Sequence, residues 1–277
     1  MRSPFPPSPE RQALAAFLAR AEDKVLVTLV RVEGSAPREA GTTMLVSGTG
    51  IHATIGGGFA EHDAIAHARA LLSGQNAAEE KITILGPDSG QCCGGRLTLR
   101  FERLDGERAS ALLDTARAAE EEMRPVLLFG AGHVGKALAR ALSPLPFRVA
   151  VVETRAEELE GLPDNVRTVL SAMPESALDD LPPGAAIVIL THDHALDFLI
   201  ASEALRRDDL AYVGMIGSAT KRASFAGHFR RAGGDAAQLA RLVLPVGGSA
   251  VKDKRPAVIA AMVAAELLQL PPYGKAG

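Results

Sequence analysis

The sequence predicts an α/β protein of two parts, a mixed α/β domain followed by a Rossmann-like, doubly wound parallel sheet. In the N-terminal part, β-branched strand-like runs such as "KVLVTLVRVE" (Lys24–Glu33) are frequent. From residue 124 onward, short apolar strands alternate with helices, which is the pattern of a parallel sheet covered on both faces. We therefore expect an N-terminal domain over 10–105 and a C-terminal domain over 124–277.

Composition limits the classes of function. A chain of 277 residues with 47% hydrophobic residues can bury a substantial core. Its formal charge of -3 lacks the excess of Lys and Arg that neutralises phosphates, which argues against a nucleic-acid partner. No run approaches the ~18 to 20 uncharged residues of a membrane-spanning helix, and the N-terminus lacks an apolar signal-peptide core. These features predict a cytoplasmic protein that binds neither nucleic acid nor membranes.

The elements of the N-terminal part follow in order. Residues 1–9 are rich in proline and are expected to form a disordered tail, with a helix from Pro9 to about Glu22. The strands "TTMLVS" and "IHATI" come after the first strand, and "GGGFAEHDAIAHARALL" has helical spacing. The strands "KITIL" and "RLTLRFERL" flank the segment "GQCCGG". An amphipathic run over 106–123 predicts a helix that connects the two domains.

The segment "GQCCGG" contains the two cysteines of the chain, Cys92 and Cys93. Thiols stay reduced in the cytoplasm, and a ring between neighbouring residues would strain the peptide, so we do not expect a disulfide. Two adjacent thiols also supply at most part of a metal site. Packing as small hydrophobic side chains is one alternative. The flanking glycines favour another, an exposed turn close to a ligand.

A glycine-rich loop follows the first strand of the C-terminal part, in "LLFGAGHVGKALARAL". Its glycines have the G-x-G-x-x-G spacing: Gly130, Gly132 and Gly135. A second strand ends about 20 residues later at Glu153, where an acidic side chain can accept hydrogen bonds from a ribose. This context predicts a Rossmann domain, with His133 facing the ligand cleft. Arg155 is either a phosphate contact or a surface arginine.

Polar residues also cluster after two later strands. They are Thr191, His192, Asp193, His194 and Asp197 after "AAIVIL", and Gly217, Ser218, Lys221 and Arg222 after "AYVGMI". Ligands bind at the carboxyl ends of strands in open α/β sheets, so we expect these residues near the glycine loop. Ser218 could cap a helix that faces an anion, with Lys221 and Arg222 adding positive charge. The alternatives are plain helix caps, a solvated basic turn, and a metal site at the His and Asp residues.

Several separated motifs together resemble the XdhC/CoxI family of xanthine dehydrogenase accessory proteins, from about Val25 to Leu270. The motifs are "GSAPREAGTTMLV", "IGGGFAEHDAI", "GQCCGG", "FGAGHVGKALA", "VVETR", "THDHALD", "VGMIGSATKR" and "LPVGG". Their order and spacing are far more specific than the glycine loop alone. Family members of the broader CoxI type carry a Gly-Gly-Cys-x-Glu pattern, whereas this chain has Phe59 in place of that cysteine and retains Glu61.

The resemblance implies an accessory factor rather than an enzyme. Such a chaperone binds and protects molybdenum cofactor (molybdopterin), supports its sulfuration with a cysteine desulfurase, and inserts it into the molybdenum-binding subunit of xanthine dehydrogenase. A two-domain protein that holds its cofactor between the domains is also expected to form a homodimer. Cys92 and Cys93 become candidates for a sulfur relay or, through either thiol, for a ligand to the cofactor molybdenum.

The predicted cofactor-binding residues combine these motifs. They are Gly56, Gly57, Gly58, Glu61, Gln91, Cys92, Cys93, Gly130, Gly132, His133, Gly135, Glu153, Arg155, Thr191, His192, Asp193, Gly217 and Ser218. Backbone amides at the glycine-rich turns and helix starts can bind a phosphate. Two other functions remain as alternatives: an NAD(P)-dependent oxidoreductase that uses the Rossmann domain, and a thiol- or metal-dependent regulator. Whether that domain holds NAD(P), another nucleotide or the pterin phosphate stays open.

Overall fold

A computed structural model describes residue 5 and residues 7–85, 95–248 and 251–273. The chain divides into two compact units, Glu10–Ala116 and Arg117–Gly277 together with Met1–Pro9. The division falls within helix α3 (Gly106–Glu121), in the run expected to connect the two domains. In the described residues, no helix is both long enough and apolar enough to cross a membrane.

The N-terminal unit is built on a five-stranded antiparallel sheet with the order β3-β2-β1-β5-β4. Its elements before α3 are α1 (Pro9–Leu18), β1 (Lys24–Glu33), β2 (Thr43–Ser47), β3 (Ile51–His52), α2 (Gly58–Leu72), β4 (Glu80–Ile84) and β5 (Arg96–Arg103). Alternate residues of β1 point to opposite faces of this sheet. Val25 and Val27 pack with the buried alanines of α2, whereas Leu26 packs with Phe17 of α1.

The C-terminal unit contains a six-stranded parallel sheet with the order β11-β10-β9-β6-β7-β8. Its elements are β6 (Arg124–Phe129), α4 (His133–Leu142), β7 (Phe147–Glu153), β8 (Arg167–Leu170), β9 (Ala186–Ile189), α5 (His194–Arg206), β10 (Tyr212–Met215), α6 (Ala219–Arg231), α7 (Ala236–Ala240), β11 (Leu242–Val243) and α8 (Pro256–Leu268). Counted from β6, this is the strand order 3-2-1-4-5-6 of dinucleotide-binding folds. The predicted fold class is confirmed.

Both faces of the parallel sheet are covered. Leu127 and Phe129 of β6 pack in the cluster that includes α5 and α6, and Val126 and Leu128 pack in the cluster of α4 and α8. Every residue of β6 is buried, as expected for a central parallel strand. Because its strands are parallel, their carboxyl ends all lie along one edge of the sheet. The predicted C-terminal site residues follow these strand ends.

Three details differ from the sequence-based expectation. Helix α1 ends at Leu18 instead of Glu22, because the following turn is held by the Lys24 ammonium group, which donates to the Arg20 and Glu22 carbonyls at 2.6 and 2.7 Å. The short elements α7 and β11 were not predicted. Phe5, in the segment expected to be disordered, is buried in the α5 and α6 cluster of its own unit.

Candidate functional site

The carboxyl ends of four neighbouring strands bring the predicted C-terminal site residues to one edge of the sheet. The strand order reverses between β6 and β9, and ligands in open α/β folds bind at such switch points. The residues gathered there are the Gly130–Gly135 loop after β6, Glu153 at the end of β7, Thr191 to Asp193 after β9, and Gly217 and Ser218 after β10.

Two glycines of this loop are required by packing within the protein. Gly130 has a φ of 106°, and a Cβ there would lie 2.7 Å from the Leu190 carbonyl oxygen. A Cβ on Gly135 would lie 2.1 Å from the Gly130 carbonyl oxygen, which brings α4 directly against the end of β6. These contacts explain the first and third positions of the motif through close backbone approach.

The second glycine has no such explanation. Gly132 has an ordinary φ of -65°, and among the described residues no atom outside its immediate chain neighbours lies within 4 Å of the position its Cβ would take. It is the N-cap of α4 without a side-chain capping bond, and the exposed His133 begins the helix. The open space matches the role of the second motif glycine, which lets a phosphate approach the backbone.

Glu153 is buried, and its carboxylate accepts hydrogen bonds from the loop itself. Oε2 accepts the Ala131 amide at 2.9 Å, and Oε1 accepts the amides of Thr154 and Arg155 at 2.8 and 3.2 Å. Burial acts to raise the pKa of Glu153, but the hydrogen bonds from Ala131 and Thr154 outweigh it, so the pKa lies below its usual range. The carboxylate that was expected to accept hydrogen bonds from a ribose thus also accepts hydrogen bonds from the protein itself.

Arg155 is held by acidic neighbours. Its Nε lies 3.4 Å from Glu153 Oε1, and its terminal nitrogen lies 3.4 Å from Glu158 Oε1. Glu158 also pairs with Lys136 of α4 at 3.2 Å. This carboxylate bridges Lys136 of α4 and Arg155 after β7, and it offsets the charge of Arg155, for which a phosphate contact was one of two expectations.

A buried ion pair joins helices α5 and α6, which follow β9 and β10. The Asp197 side chain is fully buried, accepts the Thr191 hydroxyl at 2.7 Å, and pairs with the ammonium group of Lys221, whose side chain is 10% exposed. Lys221 also donates to the Ile216 carbonyl at 3.0 Å. The expectation that Lys221 offers its charge to an anion is wrong, because the Asp197 carboxylate neutralises that charge within the protein.

The residues at the start of α5 have structural roles. Asp193 is the N-cap and accepts the amides of Ala195 and Leu196 at 2.7 and 3.2 Å. These amides, that of Leu196 foremost, lower the pKa of Asp193. His192 and His194 are exposed. Across the part of the chain that the structure describes, no group of three His, Cys, Asp or Glu side chains could hold a metal ion, so the metal interpretation has no support there.

The residues at the start of α6 are also held by contacts within the protein. Ser218 is its N-cap and accepts the Lys221 amide at 3.3 Å, as predicted. A Cβ on Gly217 would lie 2.6 Å from the Lys221 side chain, so this glycine makes room for the buried lysine. Arg222 donates to the Leu242 and Leu244 carbonyls at 3.1 and 2.9 Å, and is therefore no free anion ligand.

The N-terminal unit has its own glycine-rich turn before α2. Gly56, Gly57 and Gly58 all have positive φ angles, of 125°, 77° and 69°. Glu61 accepts the Gly57 amide at 3.1 Å and the hydroxyl of Thr54. In the part of the chain that the structure describes, no atom beyond its chain neighbours lies within 4 Å of a Cβ placed on Gly57, whereas one on Gly56 would meet Pro37 at 2.6 Å. Glu61 therefore organises this turn, and the described residues leave space beside Gly57.

Gln91, Cys92 and Cys93 lie outside the described residues. Their predicted role rests on the sequence.

Some site interactions were missed by sequence reasoning. The Asp197–Lys221 pair joins residues 24 positions apart, and the tie between Ala131 and Glu153 joins residues 22 apart. Tyr212 donates to Glu266 at 2.6 Å, and Glu266 also accepts the Gly247 amide of the "LPVGG" segment at 3.0 Å. No local pattern signals such pairs, because they depend on which strands are neighbours.

Two family models match this chain, one in each of its two units. The family model for the XdhC Rossmann domain matches residues 126–267. The model for the XdhC and CoxI family matches residues 17–82. The first match covers more than half of the chain, and the second lies in the N-terminal unit.

Two individual proteins are similar over most of this chain. The uncharacterized protein YqeB of Escherichia coli (strain K12) is 28% identical over 256 residues, which is 88% of this chain and 43% of that protein. The chain therefore spans less than half the length of this curated relative. A crystal structure of a xanthine dehydrogenase from Bacillus halodurans aligns at 18% identity with a TM-score of 0.69, over 94% of this chain and 95% of that chain. At this identity, the second likeness shows the shared fold.

Proposed function

The chain belongs to the XdhC and CoxI family, and on that premise we propose that it is a maturation factor for xanthine dehydrogenase. Its cargo is molybdenum cofactor, which it binds, protects, helps to sulfurate and inserts into the apo-enzyme. A cysteine desulfurase supplies the sulfur, and the factor works in the cytoplasm as a homodimer. The observation that carries the proposal is the family match in both units, rather than in the Rossmann domain alone.

The geometry of the C-terminal edge supports a ligand that carries a phosphate. Molybdenum cofactor is a phosphorylated pterin with a dithiolene that holds the metal. The open space at Gly132 and the uncapped start of α4 would receive its phosphate through backbone amides. In the N-terminal unit, Gly57 offers a second open backbone position beside Glu61.

The described polar side chains around these openings orient the backbone. Glu153, Asp193 and Ser218 each accept amides at the start of a loop or helix. This is the arrangement expected of a binding protein, in which side chains hold amides in position for a ligand. Cys92 and Cys93 enter the proposal from their sequence alone, as soft thiols for the metal or for sulfur transfer.

Activation of apo xanthine dehydrogenase tests the proposal. The protein is purified from a host that makes the cofactor, mixed with apo-enzyme from a host that does not, and urate formation is measured. We expect the wild-type protein to restore activity, and Cys92→Ser or Cys93→Ser to restore about a tenth as much, by analogy with the loss of a soft metal ligand.

Three outcomes separate the parts of the proposal. A wild-type protein that carries no cofactor and gives no activation contradicts the maturation role. Full activation by both serine variants assigns the cysteines to packing while the maturation role stands. Oxidation of NADH with a small substrate by the wild-type protein alone favours the oxidoreductase instead.

A further inference from the structure

Glu153 occupies the position that defines nucleotide binding in Rossmann domains. At the end of the second strand, an acidic side chain accepts hydrogen bonds from the adenosine ribose. To do so, its carboxylate must present lone pairs that the protein itself does not use. The environment of Glu153 therefore decides whether this unit can bind a dinucleotide in the usual way.

Hydrogen bonds within the protein use most of the acceptor capacity of this carboxylate. An ionised carboxylate has about four lone-pair sites, two on each oxygen. Oε2 accepts the Ala131 amide at 2.9 Å, and Oε1 accepts the amides of Thr154 and Arg155 at 2.8 and 3.2 Å. The Thr154 hydroxyl and the Arg155 Nε also donate to Oε1, at 3.1 and 3.4 Å. Only 4% of the residue is exposed, so little of the carboxylate is open to a ligand.

The space beside the carboxylate is also too small for a sugar. A recess next to Glu153 is lined by residues that include Thr154, Pro174, His192 and Leu196, and its free volume is about 10 Å³. A cavity of that size holds about one water molecule. A ribose could therefore reach the carboxylate only if residues that line this recess moved apart.

We propose that Glu153 is a positioning residue that acts as an internal ligand of the glycine loop, and that this unit therefore does not recognise the ribose hydroxyls of a nicotinamide dinucleotide. The carboxylate fixes the Ala131 amide between Gly130 and Gly132, and so sets the path of the backbone that leads into α4. This inference goes beyond the maturation role. It depends on the contacts of Glu153 with the glycine loop and not on which cargo the protein carries.

Exchange of the Ala131 amide hydrogen tests the internal contact. In the folded wild-type protein, NMR-detected exchange of this amide should be at least about tenfold slower than in Glu153→Gln, since a bond to a carboxylate is lost. Glu158→Gln is the matched control, because Glu158 also contacts Arg155 but no loop amide. If Glu153→Gln fails to fold, Glu153→Asp keeps the charge while moving it away from Ala131. An Ala131 amide that exchanges as fast as an exposed one in the wild type overturns the proposal.

Calorimetric titration with ADP and 2′-deoxy-ADP tests the ribose specificity. We expect that neither nucleotide binds, or that both bind with affinities within about twofold of each other. The reason is that no charge-assisted bond to the 2′-hydroxyl is made. Glu153→Gln should leave that ratio unchanged. A wild-type preference for ADP of about tenfold or more that disappears in Glu153→Gln shows a conventional ribose contact and overturns the proposal.

Discussion

At the scale of single residues, the glycines of the loop after β6 are needed for different reasons: one for packing within the fold and one for the approach of a ligand. Gly135 lies where a Cβ would meet backbone at 2.1 Å, whereas Gly132 borders open space. The same motif therefore contains a position that the fold requires and another that the fold does not explain.

Replacement of Gly135 should destabilise the protein more than replacement of Gly132. Gly135→Ala should lower the free energy of unfolding by at least about 1 kcal/mol net, because overpacking against backbone exceeds the ~1 kcal/mol that alanine gains in helix propensity. Gly132→Ala should cost less than about 1 kcal/mol, the difference between glycine and alanine as an N-cap, because its Cβ meets no packed atom of the described residues. Urea unfolding followed by circular dichroism measures both. Equal losses in the two variants would contradict the assignment of Gly132 to ligand approach.

The buried Asp197–Lys221 pair gives a second prediction for single residues. Asp197→Asn should lower the free energy of unfolding by about 3 to 5 kcal/mol, because it leaves the Lys221 ammonium buried without its partner. Glu203→Gln is the control on the same helix: it breaks the exposed pair with Arg206 and should cost about 0.5 kcal/mol or less.

A double variant distinguishes an unpaired charge from lost packing. Asp197→Asn combined with Lys221→Met should recover part of the stability that Asp197→Asn loses, since the buried ammonium is then absent. No recovery in the double variant would show that packing, and not the unpaired charge, dominates the loss.

At the scale of elements, three helices begin beside the carboxyl ends of the parallel strands: α4, α5 and α6. Helix α5 begins at Asp193 and helix α6 at Ser218, and each N-cap accepts an amide of its own first turn. These caps satisfy amide groups that would otherwise be open to a ligand. The start of α4, with Gly132 as its N-cap, has no side-chain cap. Of these three helices, α4 is therefore the one whose first turn can best receive an anion.

Substitution of Asp193 tests whether this residue is a cap. Asp193→Ala should lower the free energy of unfolding by about 1 kcal/mol, while Asp193→Asn should be nearly neutral because asparagine caps equally well. Thermal unfolding of both variants provides the measurement. If asparagine proves as costly as alanine, the carboxylate has a role that hydrogen bonding to Ala195 and Leu196 does not account for.

At the scale of the whole molecule, the sequence predicted what depends on local pattern. Strand β1 has the predicted bounds, because its β-branched run is long and continuous. The two-residue strand β11 and the five-residue helix α7 are too short to establish a period, and they were missed.

The site was predictable in its location and less so in its contacts. The spacing of the glycines and the position of Glu153 placed both at the sheet edge. The partners of Glu153 and Lys221 depend on strand order and on which side chains become buried together. For that reason, sequence reasoning assigned these two charged groups to a ligand, and the structure assigns their contacts to the protein.

The pterin content of the purified protein tests most directly whether this protein carries molybdenum cofactor. The protein is purified from a host that makes the cofactor, and the bound pterin is released, oxidised to its fluorescent form and quantified. We predict pterin in amounts comparable to the protein in the wild type, and less in Gly132→Ala although that variant folds normally. Protein from a host unable to make the cofactor provides the blank. A wild-type protein free of pterin under these conditions would contradict the proposed role.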